Sequence, residues 1–257
     1  MNIEPKFLTL PETVPGTPLI SVVVPVHNEA ENIPPLIAAI TAALAGIEHE
    51  IIYVDDGSSD ASPKILADIA AKLSTLVRVR HRQSCGQSAA VITGVKTARG
   101  VFIATLDGDG QNDPADIPAM LDAALKAEAT GPKPVLIAGH RVTRKDNEAK
   151  RWGSRIANTV RGYLLKDGTP DTGCGLKLFR RAAFLELPHF DHIHRFLPAL
   201  FIRAGGHVVS VPVRHHQRTH GASHYGTWDR LKVGIVDLFG VAWLQRRWKL
   251  PHIDPTP

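Results

Sequence analysis

The chain has 257 residues, 44% of them hydrophobic and 21% charged, which suits one large α/β domain, or a domain with an appendage, and argues against disorder. Its two cysteines, Cys85 and Cys174, form neither a CxxC pair nor a zinc spacing, so reduced cytosolic thiols are expected. The net charge of +5 conceals a division: residues 1–140 hold 10 Lys and Arg against 16 Asp and Glu, a net of −6, and residues 141–257 hold 20 against 9, a net of +11. An acidic first half fits a metal ion; a basic second half fits phosphate, nucleic acid or an anionic membrane surface.

Residues 1–18 hold four prolines and read as an extended lead-in. Leu19 to Val26 is a continuous apolar run, the mark of a strand buried on both faces. Glu31 to Leu44 has helical spacing, with Ile33, Leu36, Ile37, Ile40 and Leu44 on one face. Glu50 to Val54 is a second strand, and Ser59 or Asp60 can cap a helix over Ala61 to Leu73. Leu76 to Arg80 is a third strand, followed by a helix from Gly86 to Thr97. Val101 to Leu106 is a fourth, and Asp113-Pro114 opens a helix to about Ala127. A fifth strand, Val135 to Ala138, ends at Gly139-His140-Arg141. Five alternations predict a mostly parallel sheet with helices on both faces.

Beyond Arg141 the pattern changes. Asp146 to Leu165 reads as a long basic helix, Asp171 to Gly175 as a glycine-rich turn, Leu176 to Phe179 and Val208 to Val213 as strands, and Pro198 to Arg203 as a helix end. Trp228 to Trp248 reads as an amphipathic helix closing on Arg246, Arg247 and Lys249. No N-terminal segment pairs a basic flank with an apolar core, so no secretory leader is expected. The run from Val233 to Leu244, interrupted by Asp237, is too short and too polar to span a bilayer.

Ligands of parallel sheets bind at the carboxyl ends of the strands. His27-Asn28-Glu29, Asp55-Asp56, Asp107-Gly108-Asp109-Gly110 and Arg141 all fall there. Two neighbouring carboxylates repel unless a cation lies between them, and an all-oxygen set with the Gln111 amide suits Mg²⁺ or Mn²⁺ better than zinc. No GxGxxG or GxxxxGK[ST] follows any strand, which counts against dinucleotide oxidoreductases and P-loop enzymes. His216, His220 and His224 recur every four residues, but Gly221 and Ser223 indicate a basic hairpin rather than a zinc-binding helix. No nucleic-acid-binding motif accompanies the basic helix, so no nucleic-acid partner is expected.

The ordered set PVHNEAENI (25–33), VDDGSSD (54–60), GQSAA (86–90), LDGDGQNDP (106–114), GHR (139–141), SRIAN (154–158), DTGCGLK (171–177), HRF (194–196) and RTHGASHYG (218–226) resembles the family-2 nucleotide-sugar glycosyltransferases. Within them it is most similar to the dolichol-phosphate mannosyltransferases and the bacterial undecaprenyl-phosphate sugar transferases. The resemblance implies a GT-A fold over residues 19–225. It also implies inverting transfer of a sugar from a GDP-mannose-like or UDP-sugar donor to a polyprenyl phosphate. Pro25, His27, Asn28 and Glu29 would line the nucleotide pocket, Asp56 would meet the base or ribose, and Gln87 would lie nearby. Asp107, Asp109 and Gln111 would hold Mg²⁺ or Mn²⁺ against the donor diphosphate. Arg141 and Ser154 would receive the acceptor phosphate together with Lys150 or Arg151, and Arg195 and Arg218 match further basic positions near it. Many relatives have arginine where Lys150 stands, and lysine lacks the bidentate fork.

The implied chemistry agrees with the charge division. A phosphate monoester has a second pKa near ~6 and is largely dianionic at neutral pH, so it needs cationic positioning more than a general base. Asp107, Asp109 and Arg141 are therefore the expected catalytic residues. Residues 226–257 would supply a membrane-interface or docking helix: Trp228, Leu231, Ile235, Leu238, Phe239, Ala242 and Trp243 can share an apolar face flanked by arginines. The expected placement is cytoplasmic, at the inner face of the membrane or on a membrane-anchored subunit. Two alternatives are a same-fold enzyme with a soluble or polysaccharide acceptor, and a binding module without turnover.

Overall fold

The computed structural model describes residues 16–131, 133–141, 161–162, 164–217 and 227–247, the last segment as backbone alone over 227–233. Strands β1 (Ile20–Val26), β2 (His49–Asp55), β3 (Leu76–Arg80) and β4 (Phe102–Thr105) alternate with helices α1 (Ile33–Ala43), α2 (Ser62–Ala70) and α3 (Gln87–Thr97). A 3-10 turn at Pro114–Asp116 leads into α4 (Ile117–Glu128), and β5 (Val135–Arg141) follows. The second half contributes β6 (Lys177–Arg180), α5 (Arg181–Leu185), α6 (Ile193–Arg203), β7 (His207–Val213) and α7 (Thr227–Arg247). Most boundaries agree with the apolar runs to within a residue or two; α2 stops three residues short of Leu73, β5 runs three residues past Ala138, a 3-10 turn precedes α4, and the short helix α5 is not among the expected elements.

The seven strands lie in the order β3-β2-β1-β4-β6-β5-β7. All pairs are parallel except those of β6, which runs antiparallel to both β4 and β5. Two apolar cores cover the two faces. One packs α1, α2 and α4 through Ile33, Leu36, Leu66 and Met120. The other packs α3, α5, α6 and α7 through Val91, Phe184, Leu197 and Val241. β1, β2 and β4, sealed on both faces, have little room for polar alternation and so read as mostly apolar runs, whereas the edge strand β3 alternates buried and open positions.

Two local details follow from the sequence. Asp113 caps the 3-10 turn, its carboxylate accepting from the Ala115 N–H at 2.9 Å, with Pro114 next in line. At α2 the cap position is Ala61 rather than Ser59 or Asp60, yet Asp60 still accepts from the Ser62 N–H at 2.9 Å. The predicted basic helix over 146–165 lies outside the described residues except at its end. There Arg161 forks onto both Asp167 oxygens at 2.7 and 2.8 Å.

Helix α7 divides its apolar residues between two sides. Val241 and Ala242 are buried and Leu238 packs against the core, while the Gln245 amide donates to the carbonyls of Leu165 and Ala199. Ile235, Val236, Phe239 and Trp243 face outward, 49–71% exposed. The single face expected from sequence is thus a narrower outer stripe and an inner docked side; Trp228 and Leu231 lie outside the described side chains. No described helix is long and apolar enough to cross a membrane.

Candidate active site

Parallel pairing brings three strand ends together. Val26 pairs with Asp55, and Val23 pairs with both Ile52 and Thr105, so the segments that follow β1, β2 and β4 emerge on one rim. Pro25 is tolerated in β1 because β4 has stopped by then: Leu106 makes the last amide bond to Val23, at 3.0 Å, and no β4 carbonyl awaits an N–H at Pro25.

Asn28 adopts a left-handed backbone, φ +56, which asparagine tolerates better than most side chains. Its amide oxygen accepts from the Ser59 N–H at 2.8 Å and its own N–H donates to Ser58 Oγ at 2.9 Å, stitching β1's end to β2's. His27 Nδ1 lies 2.8 Å from the Asp56 carbonyl, and Glu29 accepts from the Asn32 amide at 2.6 Å. Asp56 is saturated. Oδ1 meets His81 Nδ1 at 2.6 Å and the Cys85 N–H at 2.9 Å; Oδ2 accepts from Ser84 Oγ and the Gly86 N–H, both at 2.8 Å. Burial works against the Asp56 charge, but these donors outweigh it and hold its carboxyl below the usual range. Among the described residues Asp56, His81 and Cys85 are also the one His/Cys/Asp/Glu group close enough to share an ion. With every carboxylate oxygen already accepting, we read it as the anchor of loop 81–86.

Asp107 is the most perturbed carboxylate of the rim. Burial and the neighbouring charge of Asp109 push it up to about 6, against the pull of Lys177, Arg141 and a hydrogen bond from Gln87 Nε2 at 2.8 Å. Asp109 accepts from the Gln111 N–H at 3.1 Å. Gln111 is in turn fastened to the segment after β7: its carbonyl accepts from the His216 N–H at 2.8 Å. The residues present fit a divalent cation, since two carboxylates and an amide oxygen are hard ligands and a cation relieves the repulsion that lifts Asp107.

The wall opposite is the turn 171–177, delivered by the reversed strand β6. Gly175 lies so close to Asp107 that a Cβ there would run into the carboxylate and displace it. Thr105 Oγ1 donates to the Gly175 carbonyl at 2.7 Å. Asp171 receives Arg141 bidentately, Nε at 2.7 Å and Nη2 at 2.8 Å. This bond raises the Arg141 pKa further, and Asp107 and Arg141 lie near enough to feel each other's charge. Lys177 is buried, with its ammonium donating to the carbonyls of Thr172 and Cys174. Burial lowers its pKa, opposed by Cys174, Asp107 and Asp171.

Asp107, Asp109, Gln111, Gln87 and Arg141 are therefore brought together at this end of the sheet, with Pro25, His27, Asn28, Glu29 and Asp56 along the same rim. Arg195 stands at the start of α6, where its charge reaches His194. Lys150, Arg151, Ser154 and Arg218 lie outside the described residues, as do His220 and His224; His216 pairs with Asp113 at 3.2 Å. Sequence reasoning assigned no role to Lys177, Asp171 or Gly175, although all lie in the DTGCGLK motif. A lysine inside an otherwise apolar strand run was the available signal.

The chain matches the family model described as Glycosyl transferase family 2 over residues 21–187. It is 35% identical over 233 residues to the dodecaprenyl-phosphate galacturonate synthase of Rhizobium johnstonii, covering 88% of this chain and 67% of that protein. It is 36% identical over 210 residues to an undecaprenyl-phosphate 4-deoxy-4-formamido-L-arabinose transferase of Pseudomonas fluorescens, covering 80% of this chain and 60% of the relative. Among solved structures, a mannosyltransferase from Pyrobaculum calidifontis in complex with GDP-Man and Mn²⁺ superposes with a TM-score of 0.64 at 22% identity, covering 91% of this chain and 66% of the other. That likeness is one of fold. The chain spans about two thirds or less of the length of these relatives.

Proposed function

Because this chain belongs to glycosyltransferase family 2 and has a GT-A fold, we propose that it transfers a sugar, with inversion, from a nucleoside diphosphate donor to a polyprenyl phosphate. The observation that supports this reading is that the Asp107–Asp109 pair lies within charge reach of Arg141, which Asp171 grips bidentately.

Asp107, Asp109 and Gln111 would hold Mg²⁺ or Mn²⁺, whose charge would stabilise the departing nucleoside diphosphate. The protein's own part is placement. Gln87 Nε2 and the Gln111 backbone N–H orient the two carboxylates. The loops after β1 and β2, locked by Asn28 and Asp56, shape the nucleotide pocket. Arg141, held flat by Asp171, offers its remaining guanidinium donors to the incoming phosphate; Arg195, Lys150, Arg151, Ser154 and Arg218 are further candidates for that anion. A dianionic phosphate is nucleophilic without a general base, so steering it against electrostatic repulsion is the main task.

The outer stripe of α7, with Arg246 and Arg247 exposed beside it, is the face we assign to the membrane interface, placing the enzyme peripherally at the cytoplasmic leaflet. A radiolabelled nucleotide-sugar panel with undecaprenyl or dolichyl phosphate tests the reading: a lipid-linked monosaccharide should form, and Asp109→Asn should lower kcat by orders of magnitude with the fold intact. Product on a soluble acceptor alone would reject the lipid, and undiminished Asp109→Asn activity would remove that residue from the ion site.

A further inference from the structure

Ser88 and His194 are 106 positions apart, yet Ser88 Oγ and His194 Nδ1 lie 2.7 Å from each other. Ser88 is the second residue of α3 and 1% exposed; His194 is the second residue of α6. The residue before Ser88 is Gln87, which donates to Asp107. We propose that Ser88 and His194 form a strut that fixes the amino end of α3, and with it Gln87, against Asp107, making both positioning residues for the divalent-ion site. This rests on the reading of Asp107 as an ion-holding carboxylate.

The amino end of α3 needs such a support. Its cap is Gly86, at φ +90, with no side-chain cap bond. Gly86 is tied on one side, through its N–H, to Asp56. Ser88 is tied on the other, to His194. Gln87 sits between the two ties, so its amide is aimed from both flanks. The far end of the strut is itself anchored: Ile193, Phe196 and Leu197 are buried, and His192 Nδ1 lies 3.0 Å from Asp237 on α7. Burial, reinforced by the charges of Lys177, Arg195 and His192, pushes His194 down to about 3. The imidazole therefore stays neutral, adds no charge to oppose a divalent ion, and shares one hydrogen with the serine in either tautomer.

The test measures Mn²⁺ binding by electron paramagnetic resonance, with Mn²⁺ alone and with GDP or UDP. Ser88→Ala and His194→Ala should each weaken Mn²⁺ binding about three- to tenfold, the range a single hydrogen bond commands. The double variant should be no worse than either single one, because the two act as one link. Gln87→Ala, which leaves the strut untouched, should lose as much. His194→Asn should restore binding and His194→Gln should not, since an asparagine amide overlays Nδ1 and a glutamine amide overlays Nε2. Unchanged Mn²⁺ affinity in Ser88→Ala would overturn the strut. Rescue by glutamine and not by asparagine would overturn it too, assigning His194 a direct contact through Nε2. A wild-type chain that binds no Mn²⁺ would instead overturn the ion site, and the strut's role with it.

Discussion

Asp107→Asn should make the metal-free protein more stable while disabling it. Folding carries the Asp107 carboxyl from an ordinary 3.8 to about 6, through burial first and then the Asp109 charge. At about 1.36 kcal/mol per pH unit, keeping it ionised costs the folded state about 2–3 kcal/mol. The sign follows from a raised acid: below pH 3.8 both states are protonated and the two proteins should coincide. Between 3.8 and about 6 the wild type loses ground, and above about 6 the gap is complete. Asparagine keeps an oxygen that can accept from Gln87, so little packing is lost. Denaturant unfolding in chelator at pH 8 should place Asp107→Asn about 2–3 kcal/mol above wild type, with the difference vanishing near pH 4. Mn²⁺ at a hundred times its Kd should return about 2.7 kcal/mol to the wild type and almost nothing to the variant. Equal or lower stability of the variant at pH 8 in chelator would refute the claim that this carboxylate is held ionised against its surroundings.

Gly175→Ala should be damaging out of proportion to its size, because the new methyl occupies the volume of the Asp107 carboxylate. Activity should fall at least about a hundredfold and Mn²⁺ binding with it, since small misplacements at a reacting centre cost on that order; calorimetry should show the fold retained. On α7, Phe239→Ser with Trp243→Ser removes two side chains that are 63% and 57% exposed. Each large apolar side chain transfers about 1.5–3 kcal/mol when fully buried. Half of that for each still implies a loss of roughly tenfold or more in co-sedimentation with anionic vesicles. The melting temperature should stay put, and unaltered vesicle binding would clear this stripe of membrane contact.

The half of the fold made of consecutive βα units was legible because β1, β2 and β4 are sealed on both faces and each turn residue follows its strand directly. The rim residues after β1, β2 and β4 could be placed together for the same reason: parallel strands end on one side. What the sequence could not supply was the position of β6. Nothing in Lys177 to Arg180 says that it runs backwards between β4 and β5, so the nearness of Gly175 to Asp107 and of Asp171 to Arg141 was hidden. The Ser88–His194 contact was hidden likewise, since two helix starts meet there across 106 residues of chain. On α7 the periodicity located an apolar surface correctly but could not tell its docked side from its bare one. That division depends on where Leu165 and Ala199 offer carbonyls to Gln245.

The reversed strand has an engineering consequence. β5 ends at Arg141 and β6 begins at Lys177, with Ala138 opposite Lys177 in the ladder, so the chain leaves the sheet and rejoins it beside the point of departure. Residues 142–176 thus form a cassette whose two ends are already neighbours. Exchanging that cassette between homologues would leave the seven strands themselves unchanged, together with Asp107 and Asp109 beyond the end of β4. Because Gly175 packs on Asp107 and Asp171 holds Arg141, chimaeras joined at 141 and 177 keep the Asp107 carboxylate and the Arg141 guanidinium in place only if both of those residues are retained.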